Sequence, residues 1–307
     1  MIYKKPFKTP VALLEYIEHK GISIGDAVEA ERFLTFINYF RFKIYLVPFY
    51  DQTNSKYQDG TSFEDGVQLY RFDDELRDIL FSVIGRIEIK LRTRLDQVAT
   101  THTDNPFWYL DSNIVQHNDS FREKLKTSFM DSKDTSADHF KKTYTNDVDA
   151  KLSKLPPFWI IAEMITFGQV LRAYKLIKKA PFNGPNNTNK LDDLAKEFGA
   201  KNLAELNNWI LLIRDVRNRC AHHSRVWNFN FREPSSIPKL LLGELPPTHS
   251  NRIYFFVALL HKMDSSLQLD IGIKDSILRL FNKYPIADRK KNAAGFPVDW
   301  ESALFWN

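Results

Sequence analysis

One stripe of apolar residues constrains the fold of this 307-residue chain more than any other feature. Its members recur at steps of three, one and four residues: Leu76, Ile79, Leu80, Val83, Ile84, Ile87, Leu91, Leu95 and Val98. This spacing puts them on one face of a long α-helix that begins near Asp73, whereas a strand would alternate every second residue. Other elements must cover such a face, so the stripe predicts a helical core.

Shorter segments with helical signals occupy much of the remaining chain. Thr9 can cap a first helix that starts at Pro10 and stops before Gly21, and Asp26 can begin a second, aromatic-rich helix that stops at Pro48. Further helices are predicted at about 158–179, 203–225, 254–267 and 275–282, with a polar loop between 48 and 63. Since no segment alternates as strands do, the sequence predicts an all-α protein.

The composition excludes several classes of protein. With 43% apolar residues, among them 24 Phe, 12 Tyr and 6 Trp, the chain is neither disordered nor collagen-like. The N-terminus lacks the apolar run of an export signal or membrane span, which predicts a cytoplasmic protein with no membrane partner. A net charge of +5 favours an anionic partner, but is also common in proteins that bind no nucleic acid.

The sequence gives no sign of a metal or cofactor site. Cys220 is the single cysteine, so it can form neither an intrachain disulfide nor a thiolate zinc site, and we predict a small core residue in a reducing compartment. The eight histidines lack metal-ligand spacing, and no glycine-rich nucleotide-binding pattern is present. We therefore expect neither a metal nor a cofactor.

The most informative segment is WILLIRDVRNRCAHHSRVW, at residues 209–227. Projected on a helix, one arc is apolar and contains Trp209, Ile213, Val216 and Cys220. The opposite arc contains Arg214, Arg217, Asn218, His222 and Arg225. His223 projects beside the apolar arc, so His222 is the better candidate for a site and His223 for a structural role.

This arc has two interpretations. Arginine presents a charged fork to phosphate oxygens and histidine can transfer a proton near neutral pH, a combination suited to cleaving a phosphodiester beside a hydroxyl. Alternatively, the arginines solvate a helix face and pair with carboxylates such as Asp215. From spacing alone we favour the second interpretation.

Other charged and aromatic residues admit the same two kinds of role. Glu88 and Arg92, four residues apart on the long helix, can support a site but form an ordinary helix pair more often, and Arg94 should find a carboxylate. The aromatic runs at 107–109 and 158–159 are more typical of a core than of base stacking. The basic run at 289–291 is more typical of a solvated turn than of an RNA contact.

Taken together, eight blocks resemble the AbiD/AbiF-type abortive-infection family of bacterial phage-defence proteins. They are KPF at 5–7, INYFRFKIYLVPF at 37–49, YRFDDELRDIL at 70–80, RIEIKLRTRL at 86–95, NPFWYLD at 105–111, PPFWIIAEMITFGQVLRAY at 156–174, RNRCAHHSRVWN at 217–228 and GFPVDW at 295–300. The resemblance spans nearly the whole chain. Within it, Arg217, Asn218 and His222 match the R-N-x3-H form of the HEPN ribonuclease motif.

The resemblance implies a HEPN-like helical bundle with additional N- and C-terminal helices. We expect a single domain over 1–307, with N-terminal helices at 1–60, a HEPN-like core at 61–230 and a helical extension at 231–307. Since HEPN sites form where two motifs meet and this chain has one, the resemblance also implies a homodimer.

The resemblance further implies a toxin-like, metal-independent endoribonuclease in which the ribose 2′-hydroxyl attacks the adjacent phosphate. His222 would transfer protons, Arg217 would stabilise phosphate charge, and Asn218 would orient His222 or a phosphate. The supporting or RNA-binding residues would be His223, Arg225, Arg214, Glu88 and Arg92. The expected partners are RNA, as substrate or regulatory noncoding RNA, and a phage-derived trigger. Two alternatives stay open: a non-catalytic protein that binds a structured RNA or a phage protein, and a sensor that binds only protein.

Overall fold

The computed structural model describes residues 6–144, 155–233, 245 and 249–306. Its α-helices are α1 (Pro10–Glu18), α2 (Ala27–Phe36), α3 (Tyr39–Phe42), α4 (Phe63–Thr103), α5 (Asp119–Asp131), α6 (Thr135–Tyr144), α7 (Phe158–Ile161), α8 (Phe167–Leu176), α9 (Lys190–Glu197), α10 (Leu203–Ala221), α11 (Ile253–Leu267), α12 (Ile273–Lys283) and α13 (Pro285–Arg289). Two-residue strands β1 (Tyr50–Asp51) and β2 (Lys56–Tyr57) pair antiparallel, with Tyr50 opposite Tyr57. The predicted all-α class is confirmed.

Helix α4 is the central element of the fold. It begins ten residues before the predicted start, because Ser62 and Asp65 form a reciprocal capping box. It runs 41 residues, about 60 Å at 1.5 Å per residue. The apolar stripe is buried along almost its whole length, with Ile79 and Val98 only partly covered.

Other helices bury the stripe of α4. Among the described residues, α3, α7, α8, α9, α10, α11, α12 and α13 all contact α4. In α11 every residue from Ile253 to Leu260 is buried, as expected for a helix that is apolar all round and surrounded by other elements. The apolar arc of α10, including Trp209, Val216 and Cys220, is also buried as predicted.

Helix boundaries differ from the prediction where a side chain caps a new helix. The predicted second helix breaks at Ile37, because the next residue, Asn38, caps α3. The segment at 158–179 divides into α7 and α8, since Thr166 forms a capping box with Gln169. Helices α5, α6 and α9 were not predicted, and the predicted loop after Pro48 contains the β1–β2 hairpin.

The predicted segments 1–60 and 231–307 include residues 1–5, 234–244, 246–248 and 307, which lie outside the described residues. Within the described part of the second segment, α11 contacts both α4 and α10. None of the described helices combines the length and apolar character needed to cross a bilayer.

Candidate functional site

The predicted motif lies at the C-terminal end of α10, where the helix stops earlier than its sequence pattern indicates. His222 is the capping residue, and His223 adopts a left-handed conformation with φ of 50°. The N–H groups of His223 and Ser224 donate to the carbonyls of Cys220 and Arg219, at 2.9 and 2.8 Å, which is a Schellman ending. The predicted helix to Arg225 is therefore wrong by four residues.

This early stop changes the positions assigned by helical projection. His223 does not lie beside the apolar arc, because its side chain is exposed, and Arg225 follows the helix rather than extending its polar face. His222 is also exposed, at the helix end. The two histidines differ in backbone conformation, since only His223 is left-handed. They do not differ in the way that the helical projection predicted, because both side chains are exposed.

Arg217 is held against α4 by two contacts. Its guanidinium carbon lies 5.5 Å from the centre of the Phe81 ring, and its Nε lies 3.8 Å from Glu88 Oε2. That Nε is buried and makes no hydrogen bond among the described residues. The side chain is one-third exposed, so it is fixed at its base yet open to solvent.

Glu88 and Arg92 form the ion pair expected from their spacing. Both side chains are only 11% exposed, and Arg92 Nη2 donates to Glu88 Oε1. Arg92 Nη1 also donates to the carbonyl of Ala162, 2.5 Å away, which ties α4 to the end of α7. Since Glu88 also faces Arg217, this pair supports the base of the motif rather than its exposed side.

The other two polar residues of the arc differ from each other. Arg214 Nη2 donates to Asp215 Oδ1 at 2.8 Å, so for this residue the solvated-face interpretation describes the structure. The Asn218 side chain is exposed and has no hydrogen bond within the described chain, while its carbonyl accepts the His222 N–H at 3.0 Å. Asn218 therefore connects to His222 through the backbone.

A buried carboxylate on α4 fixes the chain after the histidines. Asp73 Oδ1 accepts the N–H groups of Val226 and Trp227, at 3.1 and 2.6 Å. Its Oδ2 accepts the Tyr45 hydroxyl, at 2.6 Å, and an N–H of Arg77. The end of the motif thus has a fixed position relative to α4, which the local sequence pattern did not reveal.

Four arginines gather around this same segment, and three of them were missed by sequence reasoning. Arg41 donates to the carbonyl of His223, and Arg219 Nε donates to that of Arg225 at 2.9 Å. Arg252 Nη1 donates to Asn228 Oδ1 at 2.8 Å. Arg41 and Arg252 come from distant parts of the chain, so no local spacing could have placed them here.

Burial and mutual repulsion act on this arginine group. Burial lowers the pKa of Arg219, and the neighbouring Arg225 lowers it further. Burial likewise lowers the pKa of Arg225, with a further contribution from Arg252. Cys220, next to Arg219 in the chain, is buried, which raises the pKa of its thiol to about 12, so it is a core residue as predicted.

The remaining candidates have largely structural positions. Arg94 forms a two-point ion pair with Glu197, both contacts 2.7 Å, as predicted. Trp108, Tyr109 and Phe158 are fully buried, which confirms the core interpretation for them, whereas Phe107 and Trp159 are partly exposed. In the basic run, Lys291 pairs with Asp288 and Lys290 lies over the Phe49 ring.

Asn218 and His222 are exposed, and the Arg217 side chain is one-third exposed. Three cavities formed by described residues, of about 680, 210 and 470 Å³, are lined by other residues. Within the described chain, no group of three or more His, Cys, Asp or Glu side chains is arranged to hold a metal ion. The chemistry available at the motif is therefore an exposed imidazole at the end of α10 and, five residues earlier, a guanidinium that contacts α4.

The comparison with protein families gives one match. The model for Abi-like proteins matches residues 32–228, which include α4, α10 and the segment held by Asp73. No curated protein and no solved structure matches the chain. The matched region covers more than half of the sequence and ends on the motif segment. The chain therefore belongs to the Abi-like family of bacterial abortive-infection proteins.

Proposed function

We propose that this protein is a phage-defence endoribonuclease whose centre is Arg217, Asn218 and His222. The observation that carries the proposal is that α10 presents, within five residues, a guanidinium held by Phe81 and Glu88 and an exposed imidazole at its C-terminal end. The R-N-x3-H spacing in an Abi-like chain supports the same chemistry. The substrate is RNA, because the reaction uses the ribose 2′-hydroxyl.

The proposed reaction needs no other nucleophile. The 2′-oxygen attacks the adjacent phosphorus, the bond from phosphorus to the 5′-oxygen breaks, and the products carry a 2′,3′-cyclic phosphate and a 5′-hydroxyl. One imidazole accepts the 2′ proton and a second donates a proton to the 5′-oxygen. Arg217 stabilises the extra negative charge on the phosphate oxygens in the transition state.

Each copy of the chain supplies one motif histidine, so a centre with two His222 imidazoles requires two copies, and α4 offers a surface for this. Phe81 and Ile89 are 43% and 58% exposed, eight residues apart on the same helix as Glu88. Gly85 lies between them, and a Cβ added there would meet no atom within 4 Å. A second copy packed here would enclose Arg217 and exclude water from an otherwise open site.

A binding function is the second candidate, and the exposure of the motif favours it. A site for chemistry is normally concave, whereas the Asn218 and His222 side chains are exposed. In this alternative the protein holds a structured RNA, or a phage protein, on the arginine-rich end of α10 without cutting.

The deciding experiment compares wild type, His222→Ala, Arg217→Ala and the control His117→Ala on labelled single-stranded and tRNA-like RNAs in EDTA. His117 is an exposed histidine paired with Asp119. We predict cleavage to cyclic-phosphate ends, lowered about 10²–10⁴-fold in the first two variants and unchanged in the control.

Folding of each variant is checked by circular dichroism. Cleavage that survives in folded His222→Ala would refute the assigned centre. Absence of cleavage in wild type, together with salt-sensitive RNA binding in all four proteins, would favour the binding function.

A further inference from the structure

Arg225 is a half-buried guanidinium with no neutralising partner. Its side chain makes no hydrogen bond or ion pair within the described chain, although its carbonyl accepts from Arg219. A charged group removed from water without a partner costs free energy, so such a residue is retained only where something offsets that cost. The residues around Arg225 indicate which kind of partner would neutralise its charge.

Two of the other arginines at the same segment, Arg219 and Arg252, also lack a carboxylate partner within the described residues. Arg219 donates one N–H to the Arg225 carbonyl, and Arg252 donates one N–H to the Asn228 side chain. Neither arginine forms an ion pair within the described residues. Each guanidinium therefore keeps four further N–H donors. The nearby carboxylate of Asp73 already accepts from Tyr45, Arg77 and two backbone groups.

The Arg219 and Arg252 side chains are each held by contacts, which favours a binding site over a flexible charged surface. The Arg219 guanidinium carbon lies 3.4 Å from the centre of the Phe229 ring. The Arg252 side chain packs against Gly295, where an added Cβ would lie 2.4 Å from the Arg252 Cβ. Charged forks held in this way match the oxygens of a phosphate group, which accept several N–H donors at once.

We propose that Arg219, Arg225 and Arg252 form a binding site for a backbone phosphate of RNA, beside the motif but separate from it. The site contains neither Arg217 nor His222. The Cα atoms of His222 and Arg225 are at most about 11 Å apart, given the reach of three residues, so one RNA strand can contact both. The identity of the ligand as RNA rests on the proposed function.

The test measures binding of an uncleavable RNA, so it gives a result whether or not the protein cuts RNA. A fluorescent 2′-O-methyl oligonucleotide is titrated by anisotropy at several salt concentrations against wild type, Arg225→Gln, Arg225→Lys, Arg252→Gln and Arg279→Gln. The last is the control, because Arg279 is an exposed arginine on α12 that also lacks an ion pair.

We expect Arg225→Gln and Arg252→Gln each to weaken binding about tenfold, with the slope of log affinity against log salt reduced by about 0.7, the value for one lost phosphate contact on a single strand. Arg225→Lys should keep most of the slope, because it keeps the charge. The control should match wild type. Melting temperatures identify any variant that loses its fold. If Arg225→Gln does so, RNA binding by Arg225→Lys is compared with that of wild type instead.

A parallel arm measures thermal stabilisation of wild type and Arg225→Gln by inorganic phosphate at constant ionic strength. The site is supported if phosphate stabilises wild type but not Arg225→Gln, and if Arg225→Gln also binds RNA more weakly than wild type does. Phosphate stabilisation with equal RNA affinities would overturn the assignment to RNA in favour of a small anion. Equal RNA slopes in all folded variants, or no RNA binding by wild type, would also overturn the proposal.

Discussion

Single buried residues hold the motif in place more than the motif residues do themselves. Asp73 is fully buried and receives four hydrogen bonds, two of them from the backbone just after the histidines. Arg77, one of its partners, is itself only 2% exposed. Removing the carboxylate would leave two backbone N–H groups without their acceptor, and Arg77 with only the half-exposed Asp74 as a partner.

We predict that Asp73→Ala lowers the free energy of unfolding by about 4 kcal/mol, because it removes the buried partner of the Arg77 charge and the acceptor of two backbone N–H groups. Asp74→Ala is the matched control, since Asp74 also pairs with Arg77 but is 53% exposed, and it should cost about 1 kcal/mol or less. Urea denaturation followed by fluorescence measures both values. Equal losses in the two variants would show that burial does not set the strength of this network.

At the scale of the element, α4 has two different faces. One face carries the stripe and is buried under other helices, while the other exposes Ile89 and also Phe81, which contacts Arg217. Two glycines of α4 show the same difference between the buried face and the exposed face. A Cβ added at Gly66 would lie 2.5 Å from Leu46 Cδ2 and 3.0 Å from Phe42, whereas one added at Gly85 meets nothing.

These two glycines predict opposite effects of the same substitution. Gly85→Ala should raise the free energy of unfolding of the monomer by about 0.5–1 kcal/mol, because alanine restricts the unfolded chain and favours the helix. Gly66→Ala should lower it by about 1–3 kcal/mol through overpacking against buried side chains. Urea denaturation at low protein concentration measures both, and a shift of the same sign in the two variants would contradict the packing described for α4.

At the scale of the whole molecule, the exposed face of α4 determines whether a second copy completes the site. We predict that Ile89→Arg makes the protein monomeric in light scattering and abolishes cleavage, because a buried charge at a dimer interface is costly. Val28→Arg is the control, since Val28 is 75% exposed on α2. A dimer that survives in folded Ile89→Arg would place the interface elsewhere.

The sequence by itself determined the α-helical class, the central helix, the buried arc of α10 and the abortive-infection family. Periodicity and capping are local properties, and the family pattern is written in the chain itself, so all of these can be read without coordinates. Tertiary structure decided what surrounds the motif. The approach of Arg41, Arg252 and Asp73 to residues 223–228 depends on contacts between distant segments. The end of α10 at Ala221, with His223 in a left-handed conformation, accompanies those contacts, because the chain must turn there to bring Val226 and Trp227 to Asp73.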